Sequence, residues 1–167
     1  MTVHFTVVGK AEPAGSKRAV PTNRNWRVVP GVRWQVLDAN KDAEAWKKTV
    51  ASAARGKMLS LRAKPFESAV EVRMRFVRAR PKSHLLSDGV RLSAAGREFP
   101  MLTSKPDVLK LARAVEDAMT GIVYTDDALI VRELIEKEWG DSDEVWVAVY
   151  EASVDRTYET GETDGRG

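Results

Sequence analysis

Apolar and polar residues alternate over Val3-His4-Phe5-Thr6-Val7, as in a strand with one buried face. Alternation is clearest over Ser68–Val77. There Val70, Val72, Met74 and Phe76 share one side, and Glu71, Arg73 and Arg75 share the other. Val145, Val147 and Val149 repeat the pattern near the end, after a Gly140-Asp141-Ser142-Asp143 turn, and Leu129–Glu138 reads as the strand before it. These last two strands are expected to form a hairpin. Val32–Leu37 adds a short strand, with Val32, Trp34 and Val36 on one side. Gly9–Gly31 is punctuated by Gly and Pro and reads as a long loop or irregular hairpin.

Two segments carry helical periodicity. Ala43, Trp46, Lys47, Val50 and Ala54 recur at helical spacing after a start near Asn40 or Asp42, with Gly56 as the stop and Trp46 in the core. A second helix is expected from Ser104 as N-cap, with Pro106 in its first turn, to about Met119 or Thr120, where Gly121 ends it. Arg80–Leu102 has no sustained period and reads as a long surface loop. The order β-α-β-α-β-β predicts a single α+β domain over residues 1–151, a mixed sheet with helices mainly on one face. Residues 152–167 are polar and Gly-rich and are expected to be a disordered tail.

Composition narrows the chemistry. The 167 residues contain no cysteine and only two histidines, His4 and His84. Thiolate sites, disulfides and cysteine nucleophiles are therefore excluded, and imidazole-rich metal sites and Ser-His-Asp triads are disfavoured. No signal peptide and no apolar run of membrane-spanning length is read, so a cytoplasmic protein is expected. Net charge is +3, but it is unevenly spread. Lys10, Lys17, Arg18, Arg24, Arg27 and Arg33 face a single acid, Glu12, before Val36; Arg73–Lys82 is a second basic run; acids gather from Glu116 onward. This asymmetry suits a polyanion-binding surface beside an acidic site.

Carboxylates are then the candidate metal ligands, through oxygen to a hard cation such as Mg²⁺ or Mn²⁺. Asp107, Lys110, Arg113 and Asp117 fall in one arc of the second helix, and Val108, Leu111, Val115 and Ala118 in another that faces the core. Asp107 and Asp117 lie about 15 Å apart along the axis and cannot share an ion. Asp107 is the better ligand, and Asp117 is expected to pair with Arg113 at i,i+4. Asp126-Asp127 precedes a strand and can approach Asp107, with Asp127 favoured to face the site. Taken singly, Asp107 reads as a capping-box acid, Asp126-Asp127 as a polar turn, and Lys110 and Arg113 as solvated charges.

Together these residues resemble a family. Lys105-Pro106-Asp107, Lys110–Ala114, Asp117–Gly121 and Asp126-Asp127 look like the signature block of RusA-type Holliday junction resolvases. Pro13–Arg18 and Arg80–His84 resemble two further family segments, and Lys137 also fits. The resemblance implies a homodimeric, Mg²⁺-dependent endonuclease, with Mn²⁺ as a substitute, that cuts four-way DNA junctions in recombination and repair in a bacterial or phage-infected cell. It assigns metal binding and catalysis to Asp107 and Asp127, with Asp126 beside Asp127 as a further metal ligand, and catalysis also to Arg113, which stands where the family usually has a lysine; Lys110 is the second candidate catalytic cation on the helix. Lys17, Arg18, Arg24, Arg27, Arg80 and Lys82 are the expected DNA contacts, and Trp26 or Trp34 could stack on an opened base. One departure stands out. The family commonly carries Asp-x-Asp-Asn, whereas this chain has Leu109 and Lys110 at the last two positions. Leucine cannot ligate a metal, which raises the alternative of a branched-DNA-binding protein with little or no cleavage.

Overall fold

A computed structural model describes residues 1–15, 17–21, 34–38 and 41–153. Trp26, Arg24, Arg27 and the expected tail beyond Ser153 lie outside them. The strands are β1 (Thr2–Val8), β2 (Lys17–Pro21), β3 (Trp34–Asp38), β4 (Val70–Ala79), β5 (Ile130–Gly140) and β6 (Glu144–Glu151). The helices are α1 (Lys41–Leu61), α2 (Ala94–Glu98) and α3 (Val108–Met119). β1, β6, β4 and β5 form one sheet in that order, and β2 and β3 form a separate antiparallel ribbon. The architecture is a single α+β domain, as expected.

The main sheet is mixed: β1–β6 and β6–β4 are antiparallel, β4–β5 parallel. Its alternating apolar residues fall on one face. Val3 and Val7 of β1, Val70, Val72, Met74 and Phe76 of β4, and Val145, Val147 and Val149 of β6 are all buried there. α1 and α3 cover that face. α1 contributes Ala43, Trp46, Val50, Ala54 and Met58, and α3 contributes Leu111, Ala114, Val115, Ala118 and Met119. Burying such side chains stabilises the fold by about 1.5–3 kcal/mol for each large one.

Three expectations are corrected. β5 and β6 are not a hairpin, because β4 lies between them. Their connection passes over the end of β4, where the Asp143 carboxylate accepts from the Ala79 amide at 2.9 Å and the Gly140 carbonyl from that of Arg80 at 2.9 Å. α1 does not stop at Gly56 but runs on to Leu61, since Met58 continues the buried stripe one turn beyond Ala54. α3 starts not at Ser104 but at Val108, with Asp107 itself as the N-cap. Asp107 Oδ1 accepts from the Leu109 amide at 2.9 Å, so Asp107 is the cap and not the capping-box acid. Pro106 lies outside the helix, after a cis Lys105-Pro106 bond. Gly121 does end α3, at φ 74°, where a side chain would strain the backbone.

Residues 80–102 are more structured than a bare loop. They hold a short turn at Lys82–His84 and α2. His84 stacks on Phe99 with ring centroids 6.0 Å apart and meets Trp139 of β5 edge-on at 5.6 Å.

Candidate active site

The Lys105-Pro106-Asp107 arm is held by cations from two neighbouring strands. Lys137 Nζ on β5 donates to the carbonyls of Ser104 (2.9 Å) and Pro106 (3.1 Å). Arg78 Nη1, at the end of β4, donates to the carbonyl between them, that of Lys105, at 3.2 Å. Three consecutive carbonyls are thus capped by charged donors, which keeps them out of a helical turn and sets where α3 begins. Charge-assisted bonds of this kind are stronger than neutral ones. Asp107 is exposed at the helix start, where the helix dipole favours a carboxylate. Lys110 and Arg113 are exposed on the same helix.

The other end of α3 carries a second group of acids. Glu116, Asp127 and Glu133 line one open cleft with Arg132. Burial raises the Glu116 carboxyl to about 7, helped by the charge of Glu133 and by a hydrogen bond between the two carboxyl groups, against the opposing pull of Arg113. The buried Tyr124 hydroxyl donates to the Glu116 carbonyl at 3.1 Å, and its own ionisation is pushed up, chiefly by burial and then by Glu116. Asp126 caps the short turn Asp127–Leu129 that leads into β5, accepting from the Ala128 amide at 2.9 Å. Asp117 pairs not with Arg113 but with Lys47 of α1, at 2.8 Å, which ties the two helices together.

α3 and β5 run side by side in opposite directions. Lys137 meets the residues just before α3, and Glu133 meets Glu116 near its end. Asp107 and Glu116 are nine positions apart, about 13 Å along the helix axis. Asp127 precedes the start of β5 and lines the same cleft as Glu116 and Glu133. The structure therefore brings Asp127 to Glu116 and Glu133, and leaves Asp107 at the opposite end with Lys137 and Arg78.

Comparison with known families covers nearly all of this region. Residues 12–150 match the endodeoxyribonuclease RusA family. The chain belongs to the RusA endodeoxyribonuclease family. A search of the curated proteins returned no match. RusA proteins are Holliday junction endodeoxyribonucleases, so branched DNA is the substrate class and a divalent metal is implied. No helix among the described residues is long and apolar enough to cross a membrane.

The acids as placed do not fit that metal within one chain. Among the described residues, no three His, Asp or Glu side chains are arranged to hold an ion. Where the RusA pattern has a second acid, Leu109 projects with 65% of its surface exposed. Of the basic residues, Lys17 and Arg18 lie on β2 opposite Asp38 and Leu37, and Lys82 is exposed. Arg80 is differently occupied: its guanidinium donates to the carbonyls of Phe99 (3.4 Å) and Pro100 (3.1 Å) and lies over the Trp139 ring. Sequence reasoning missed the tethering roles of Lys137 and Arg78 and the Glu116–Glu133 pair. Lys137 was visible as a residue that fits the family pattern on a strand of imperfect alternation; what it reaches depends on parallel β4–β5 pairing, which local periodicity does not encode.

Proposed function

We propose that this RusA protein resolves four-way DNA junctions by paired phosphodiester hydrolysis during recombination and repair, as a Mg²⁺-dependent cytoplasmic homodimer whose nuclease domain spans residues 1–151. The observation that carries this reading is the tethered arm: an acid, Asp107, fixed at the start of a helix that also presents exposed Lys110 and Arg113. An acid and two cations on one exposed helix face suit a site that binds a phosphodiester and neutralises the charge that grows on it. Asp107 and Asp127 are the acids we assign to cleavage, with Asp126 beside them. Lys110 and Arg113 are the cations assigned to the phosphate. Lys17, Arg18, Arg24, Arg27 and Lys82 are the assigned backbone contacts, which makes affinity fall with salt. Arg80 supports the segment that carries Phe99 and Pro100 instead.

Leu109 supports a second reading, a subgroup of the family that binds branched DNA and cuts it weakly or not at all. One experiment separates the two. A labelled four-way junction and a linear duplex are incubated with protein and Mg²⁺, with and without chelator, beside Asp107→Asn. Symmetric nicks in the junction alone, absent in the variant and with chelator, support the nuclease. Tight junction binding without product, in Mg²⁺ or Mn²⁺, leaves the binding protein.

A further inference from the structure

Phe99, Pro100 and Met101 are three consecutive apolar residues, and all are exposed, Phe99 at 47% and Met101 at 68%. Such a run on a surface marks a binding function or invites aggregation. It is not the loose end of a loop. The Phe99 amide donates to the Ala95 carbonyl at 3.2 Å, at the close of α2. The Phe99 and Pro100 carbonyls accept from Arg80, whose guanidinium lies over the Trp139 ring. The next residue, Leu102, is buried. The Phe99 ring stacks on His84, and His84 meets Trp139 edge-on, so Phe99 ends a row of three rings. The backbone is therefore fixed on both sides of the step, while its side chains stay in water.

The step also stands near the proposed cleavage acid, in a basic stretch. Met101 lies six positions before Asp107, a span of at most about 22 Å. Residues 80–110 carry six Lys or Arg against three Asp or Glu. Lys82, Lys105 and Lys110 are exposed there. Positive charge around an apolar projection suits a polyanion that has apolar faces to offer. Duplex DNA hides those faces in its stack, and a four-way junction offers them at the branch point, where the stack is interrupted.

We propose that Phe99-Pro100-Met101 is a wedge that enters the base stack at the branch point, with Met101 between base pairs and a displaced base on the free side of Phe99. The inference rests on the reading of this protein as a junction nuclease, and adds how its site tells a branch from a duplex. Phe, Pro and Met are side chains suited to this role, because they fill the gap between unstacked bases without demanding hydrogen bonds. Every base has a face that can stack on an aromatic ring, so the wedge selects branched over linear DNA and not one sequence over another. Lys82, Lys105 and Lys110 would hold the phosphates around it.

The test uses a four-way junction with a fluorescent adenine analogue at the branch point, whose emission rises when it leaves the stack. Binding is measured with chelator, so that no cutting intervenes, and cleavage is read separately on the same junction with Mg²⁺. Wild-type protein is expected to raise the emission of the junction and not of a linear duplex carrying the analogue. Met101→Ala should abolish most of that rise and weaken junction binding about tenfold. Its binding to linear duplex should stay unchanged, since that rests on phosphate contacts. Met101→Leu, still an apolar wedge, should restore both. Phe99→Ala should behave as Met101→Ala does, and Leu59→Ala, on the exposed side of α1, as wild type. A wild-type complex without a rise in emission overturns the wedge. So do Met101→Ala and Phe99→Ala variants that bind and unstack as wild type does, and so does an equal loss on junction and duplex, which would leave the step to another partner. Binding and unstacking without cleavage, in Mg²⁺ or Mn²⁺, strikes the nuclease reading while the wedge stands. Protein that binds no junction overturns both.

Discussion

Lys137 and Pro106 are joined by a hydrogen bond of 3.1 Å from the ammonium to the carbonyl, although 31 positions separate them in sequence. With the second bond to Ser104, it fastens the arm that precedes Asp107 to β5. Removing the ammonium leaves two carbonyls without that donor. Lys137→Met is expected to cost about 1–2 kcal/mol of stability. It should also lower junction cleavage about tenfold, the equivalent of about 1.4 kcal/mol in the barrier. Lys137→Arg should recover part of both. Urea unfolding and single-turnover cleavage check the pair of effects. Unchanged cleavage in a destabilised Lys137→Met would mean that the arm positions nothing.

The Glu116–Glu133 pair makes stability depend on pH. Burial, then the charge of Glu133, raise the folded-state value of Glu116 to about 7 from an ordinary 4.5. The folded protein therefore holds a proton that the unfolded chain releases. The stabilisation is complete below about pH 4.5 and is lost as pH rises through about 7. Glu116→Gln keeps the shape and a donor toward Glu133, and removes the titration. It should leave stability at pH 4.5 nearly unchanged and raise it at pH 8 by about 1 kcal/mol, after allowance for a half-exposed site. Urea midpoints at the two pH values test this; equal changes at both would remove Glu116 as the source.

Much of this fold is legible in the chain because its periodicities are local. The four apolar residues of β4 from Val70 to Phe76 declare a buried face, and Gly121 declares the end of α3. What escaped is what long-range contacts decide. Gly140–Asp143 reads as a hairpin turn, since nothing nearby reveals that Asp143 and Gly140 bind the end of β4 and carry the chain across it. Ser104 reads as a cap, since only the folded sheet brings Lys137 and Arg78 to the carbonyls that follow. The same limit applies to the site. The acids were legible one by one, and Glu116 was not singled out because a lone helical glutamate usually signifies only a solvated charge. Its partner, Glu133, is supplied by β5.

Gly96 shows how tightly residues 80–102 are folded. A methyl group there would meet the His84 carbonyl oxygen at 2.1 Å and the Leu92 side chain at 3.2 Å. The first contact is with backbone, which has little freedom to yield, because His84 O also accepts from the Ser93 amide at 3.0 Å. Gly96→Ala should therefore displace α2 from the Lys82–His84 turn and cost about 1–3 kcal/mol. Limited proteolysis between Leu85 and Phe99 should become faster than in wild type. Resistance equal to wild type would show that α2 shifts without cost.

Leu109 offers the most direct test of the departure from the RusA pattern. Its side chain is 65% exposed and takes no part in the buried core, so Leu109→Asp should cost little stability. Position 109 is in the first turn of α3, where a carboxylate interacts favourably with the helix N-terminus. The added acid stands two residues from Asp107, as in the Asp-x-Asp pattern. If this chain cuts weakly because the second acid is missing, Leu109→Asp should raise junction cleavage about tenfold or more and lower the Mg²⁺ concentration needed for half-maximal rate. A gain of tenfold corresponds to about 1.4 kcal/mol of barrier, within reach of one added carboxylate. Cleavage and Mg²⁺ dependence unchanged from wild type would instead show that this protein completes its site from elsewhere, and that a leucine at 109 is part of a working arrangement.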